Sequence, residues 1–199
     1  QEMERLLAEE AERIALAQVA RPLVATALMK SYRTALRQMG AGEKVFDPVR
    51  LDNAIAASTG EIVANVQNTT DKVVKRLILK GYAEGFSVAA IQRELIIAKR
   101  FDAASALRIA RTEATRNTNF GALAAMSSAA DAGVPVRKMW ITAGDAEVRE
   151  AHRELDGRYV FADETFSSSA GSPQCPGDFG EAGEDINCRC NLIPFVEES

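Results

Sequence analysis

Apolar residues recur at helical spacing through the first two thirds of this 199-residue chain and then cease to do so. That change of period constrains the fold more than any other feature. Over residues 1–38, Leu6, Leu7, Ile14, Leu16, Val19, Leu23 and Leu28 fall at helical intervals among Ala, Glu and Arg, which favour helix. The pattern predicts one long helix or two, with Pro22 as a first-turn residue or a kink, ended by Gly40-Ala41-Gly42. A short loop with Asp47-Pro48 leads to helical segments over 51–62 and 63–81. Ser87 is a good N-cap for a helix over 88–97, and an alanine-rich helix over 101–132 ends at Gly133 as a left-handed cap.

From Lys138 the texture changes. Met139-Trp140-Ile141-Thr142 and Arg158-Tyr159-Val160-Phe161 read as strands, Asp156-Gly157 as a turn, and residues 192–196 as a short apolar strand returning to the core. Asp145 is placed to cap a short helix through Leu155, which would put Asp145, Arg149 and His152 on one face. Residues 167–184 are rich in Ser, Gly, Pro and Asp and form a long loop that something must pin. The fold class expected is α+β: a mainly helical N-terminal arm, residues 1–100, followed by a small, zinc-stabilised α+β domain, residues 101–199.

The zinc expectation comes from residue types. His152 is the only histidine, and Cys175, Cys188 and Cys190 are the only cysteines. Together they make the N/S donor set of a closed tetrahedral site. Three buried thiols and a surface imidazole are the plainer reading of the same residues. An odd cysteine count argues against a disulfide framework. No apolar run reaches the roughly 18 residues needed to span a bilayer, so no membrane partner is expected. Net charge is −4, but residues 1–100 hold 15 Lys and Arg against 12 Asp and Glu, whereas the rest holds 9 against 16. A positive balance of that size is far from a nucleic-acid footprint.

The sequence from Ile109 to Asn117, then Gly133, Lys138-Met139-Trp140, Asp145, Arg149, His152, Leu155-Asp156-Gly157, Phe166, Pro176-Gly177-Asp178 and Asn187-Cys188-Arg189-Cys190, resembles the phage Mu F-like head morphogenesis (minor head protein) family. The likeness covers about residues 100–196. It marks Arg111, Glu113, Asn117, Trp140, Asp145, Arg149, His152, Asp156, Gly157, Pro176, Asp178, Cys188 and Cys190. Cys175 departs from the family pattern, which leaves Asp145 or Asp178 as substitutes for the fourth ligand. Arg111, Glu113 and Asn117 read as a polar helix face fastening the loop by hydrogen bonds.

The resemblance implies a minor capsid component of the virion, inside the head near the portal vertex and in the host cytoplasm during assembly. Its implied partners are the phage portal protein, other capsid or scaffold proteins and packaged double-stranded DNA. It implies no enzymatic activity. Two rivals stand beside it. One is a zinc-dependent hydrolase, deaminase-like enzyme or toxin domain using His152 and Glu154, although the Pro-Cys-x-x-Cys helix of zinc deaminases is absent. The other is a DNA-binding module using Lys72, Lys75, Arg76, Lys80, Arg93, Lys99 and Arg100, which lacks interleaved aromatics.

Overall fold

The computed structural model describes residues 2–67, 87, 89–90, 93 and 103–196. In chain order the elements are helix α1 (Glu2–Gln38), a 3-10 turn (Glu43–Val45), α2 (Pro48–Gln67), α3 (Ala103–Asp131) and strand β1 (Val136–Ile141). Then come α4 (Glu150–Arg153), β2 (Tyr159–Phe161), α5 (Ala182–Asp185) and β3 (Asn191–Val196). The class is therefore α+β, with long helices first and a small antiparallel sheet after them. No helix among the described residues is long and apolar enough to cross a membrane.

Two compact units divide the chain: Gln1–Thr26 with Ile55–Ala110, and Ala27–Ala54 with Arg111–Ser199. Residues 27–54 thus group with the sheet rather than with the rest of the expected arm. In the first unit Ala20, Val24, Ile55, Ser58 and Thr59 are buried. α1 runs through Pro22 without a break, and the Thr26 hydroxyl donates to the Pro22 carbonyl at 2.9 Å. The helix expected over 63–81 is described only to Gln67, where α2 ends. Lys72, Lys75, Arg76, Lys80, Lys99 and Arg100 lie outside the described residues. Ser87 caps as expected, its Oγ accepting from the Ala90 N–H at 3.3 Å.

In the second unit the helix ends follow local chemistry. Asp47 caps α2 through Oδ1, which accepts from Val49 and Arg50 N–H at 2.9 and 3.0 Å, with Pro48 at the first helical position. Gly133, at φ 84°, ends α3, and Val134 N–H reaches back to the Ala129 carbonyl at 3.0 Å. Leu28, Tyr32, Ala35 and Leu36 of α1 are buried with Met39 just after it, as are Ala122, Ala125, Met126 and Ala129 of α3. The two helices meet closely at Gly121, where an added Cβ would lie 2.7 Å from Ser31 Cβ and 2.8 Å from the Leu28 carbonyl oxygen.

The sheet has the order β2-β1-β3, both pairs antiparallel. The register sets Trp140 opposite Leu192 and Met139 opposite Tyr159 and Ile193. Alternation along β1 sends Val136, Lys138 and Trp140 inward. Lys138 is an unusual member of that row, with a fully buried side chain. Its Nζ donates to Gln174 Oε1 at 3.2 Å and lies 5.7 Å from the Phe166 ring centroid. Burial pulls its pKa down to about 8, outweighing the acidic neighbours that act the other way.

Between that value and the usual 10.5 the unfolded chain holds a proton that the folded one has lost. Stability should therefore rise with pH across this window, by up to about 2 kcal/mol. Lys138→Met should abolish the rise and add about 1 kcal/mol at neutral pH, because an apolar side chain of similar length avoids burying charge. Urea unfolding at pH 7.5 and 10 of both proteins checks this. An equal rise in the variant would show that another group is responsible.

Candidate metal centre

α3 carries the polar face on which the site is assembled. Arg111 donates to Asn187 Oδ1 at 3.0 Å, Thr112 Oγ1 accepts from Asn187 N–H at 2.8 Å, and the Thr115 hydroxyl donates to the Cys188 carbonyl at 2.9 Å. Arg116 Nε reaches the Gly177 carbonyl, and Arg116 pairs with Glu113 at 3.6 Å. Asn119 uses both ends of its buried amide: Nδ2 donates to the Pro176 and Cys190 carbonyls while Oδ1 accepts from Leu192 N–H at 2.7 Å. Arg111 thus serves the fastening role read from the sequence. Asn119 was missed there because one more polar residue on a helix face carries no signal of what it splices.

Cys188 and Cys190 lie just before β3, where burial alternates: Cys188, Cys190 and Leu192 are buried, and Arg189 and Asn191 are more exposed. The two thiols therefore share the inner side. Outside, Arg189 forks onto Asp145 at 2.5 and 2.6 Å. His152, on α4, points Nδ1 into the pair, 3.3 Å from Cys190 Sγ and 3.7 Å from Cys188 Sγ. All three donor atoms lie within 4.8 Å of one another, and all three residues are buried. This group can hold a metal ion.

The surroundings are those of a ligand set. His152 stacks on Phe179 with ring centroids 4.9 Å apart and meets Trp140 edge-on at 5.7 Å, which fixes the imidazole plane. Its other nitrogen, Nε2, lies 3.0 Å from Glu184 Oε2, without the alignment of a hydrogen bond. A carboxylate behind the far ring nitrogen is the usual device for orienting a metal-binding histidine. Glu184 lies on α5, at the end of the stretch that composition marked as a long loop, so its role was not legible in sequence. The Cys190 thiol, then His152, hold the Cys188 pKa down at about 5, while the Cys188 thiolate and burial push Cys190 up. The two sulfurs therefore share one proton, which a metal would displace.

The donor spacing fits zinc. Zn–N of about 2.0 Å and Zn–S of about 2.3 Å in tetrahedral geometry put nitrogen and sulfur about 3.5 Å apart. The distances from Nδ1 bracket that value.

Cys175 does not join the group. It is fully buried, and burial, then Asp178, pushes its thiol well above the ordinary range. The loop over 167–184 is pinned by other means: Phe166 N–H to the Pro173 carbonyl, Gln174 N–H to Asp178 Oδ2, and Phe179 and Gly180 N–H to the buried Asp185 carboxylate. Asp145 does not cap a helix to Leu155. Its carboxylate instead accepts from Glu147 N–H in a local turn and binds Arg189, and α4 spans only Glu150–Arg153. An N-cap and an Asx turn use the same side-chain bond, so the residue type could not distinguish them. Glu154 accepts from Ser169 N–H at 2.8 Å, and the carboxylate facing His152 is that of Glu184.

Three curated proteins are similar to this chain in sequence. An NAD(+)–arginine ADP-ribosyltransferase of Enterococcus faecalis is 35% identical over 148 residues, which is 74% of this chain and 29% of that protein. The minor head protein of Bacillus phage SPP1 is 34% identical over 121 residues, 60% of this chain and 39% of that protein. An uncharacterized protein of Haemophilus influenzae is 24% identical over 149 residues, 74% of this chain and 30% of its own length. The chain thus spans less than two fifths of the curated relatives it matches. No solved structure matches it. The phage Mu protein F like family matches residues 72–193, beginning before the boundary at 100 expected from texture and taking in His152, Cys188 and Cys190, and the chain belongs to that family.

Proposed function

We propose that this chain is the head-morphogenesis module of a phage minor head protein. It acts in the virion near the portal vertex, with portal protein, other capsid proteins and packaged DNA as partners. The observation that carries this reading is the family match over residues 72–193, joined by the likeness to the SPP1 minor head protein. Residues 1–100 form the docking element, because long amphipathic helices bury an apolar face best against partner helices. Any DNA contact runs through that half, since the acidic residues 101–199 repel phosphates. A zinc ion on His152, Cys188 and Cys190 ties α4 to the start of β3.

The likeness to an ADP-ribosyltransferase favours a second reading, in which the chain belongs to an enzyme. The matched segment is 29% of that protein and also matches a minor head protein. A segment common to both supports a shared module more than a shared reaction. Co-purification with portal protein tests the first reading: the full chain should be retained, and a chain lacking residues 1–26, which leaves residues 27–54 in place on the second unit, should lose at least tenfold in binding. Undiminished retention would move docking to the remainder. Transfer of ADP-ribose from NAD to arginine by the full chain would establish the second reading.

A further inference from the structure

Resting on the metal reading above, we infer that the ion held by His152, Cys188 and Cys190 keeps its fourth coordination position open to solvent, for a water exchangeable with a small monodentate anion. Among the described residues, the other candidate donors considered for this site are engaged elsewhere, and Glu147, which borders the cavity, faces Arg189 at 3.5 Å. Cys175 is outside the converging group. Asp145 is bound at both oxygens by Arg189, and Asp178 accepts from Gln174 N–H. Glu184 stands behind the ring, at Nε2, on the side away from the sulfurs.

At the three ligands there is a cavity of about 20 Å³ bordered by Ala143, Glu147, Val148, Arg149, Asn187 and Arg189. A space of that size holds about one water molecule. The guanidinium of Arg149, bound to the Glu184 and Ile186 carbonyls, brings positive charge to its rim and suits an anion. Two thiolates, one imidazole and an exchangeable fourth position make the arrangement of reactive zinc sites, whereas purely structural sites are closed by four protein ligands. The site is thereby a ligand-exchanging centre as well as a cross-link.

X-ray absorption of the zinc-loaded full chain tests this without any variant. Two sulfur and two lighter scatterers per zinc are expected; three sulfurs would overturn the inference in favour of Cys175. The cobalt-loaded chain should show a saturable change in its visible spectrum on titration with azide, retained in Cys175→Ser. A spectrum indifferent to azide would overturn the open position, as would a response that appears only in Glu147→Gln. Bound metal with an indifferent spectrum would leave the metal reading standing, whereas elemental analysis finding no bound metal would remove both.

Discussion

Gly121→Ala should lower the unfolding free energy of the second unit by about 2 kcal/mol, although the same change in an open helix raises stability by about 1 kcal/mol. The sign is set by where the methyl group would go. An added Cβ sits 2.8 Å from the Leu28 carbonyl oxygen and 2.7 Å from Ser31 Cβ, and the first of these is backbone that cannot rotate aside. The Ser31 hydroxyl also donates to the Thr118 carbonyl at 2.5 Å, so separating α1 from α3 breaks a hydrogen bond between them. Gly121→Leu should prevent the unit from folding. In a Ser31→Gly background, which lacks one of the two contacts, the further loss on Gly121→Ala should be smaller than in the parent chain. Urea denaturation followed by circular dichroism gives the sign, and a stabilised Gly121→Ala would mean that the helices are farther apart than described.

Removing the metal should cost more. Binding free energy at such a site is folding free energy. Chelation of the zinc-loaded chain should therefore lower the midpoint of thermal unfolding by about 10 °C or more, corresponding to at least about 3 kcal/mol in a unit of this size. His152→Ala and Cys190→Ser should each abolish stoichiometric zinc, while Cys175→Ser should leave one zinc per chain. Zinc should also be lost on acidification, because the two sulfurs carry a shared proton without metal and none with it. Elemental analysis with thermal scans decides the matter. A zinc-free chain of unchanged midpoint would reduce the cluster to buried thiols beside an imidazole.

The sequence supported more of the fold than of the site. Helical periodicity and the Gly133 cap predicted α3, and short runs of strand-favouring residues predicted β1 and β2, because these depend on neighbours in the chain. His152, Cys188 and Cys190 were also legible, since scarce residue types of one chemistry gathered in one region. Cys175 shares that chemistry, and only the packing of its loop keeps it from the group. Glu184 was hidden for the converse reason: an acidic residue in a stretch of loop composition looks like solvent exposure until Nε2 of His152 is found 3.0 Å away. The grouping of residues 27–54 with the sheet was equally invisible, because the apolar stripe of α1 runs on past Thr26 with no break in composition.

The alternation that places Cys188 and Cys190 inward has a genetic consequence. Trp140 opposite Leu192 locks the strand, so the sulfurs are counted off from a fixed point two and four residues away. One residue added between Cys190 and Leu192 would reverse the parity of both sulfurs, turn them outward and send Arg189 toward the imidazole. The more usual Cys-x2-Cys spacing would likewise present one thiol to each side. Length variants should therefore be purged from residues 188–192, while the exposed turn at residues 169–172 can gain or lose residues with little effect on the metal ligands.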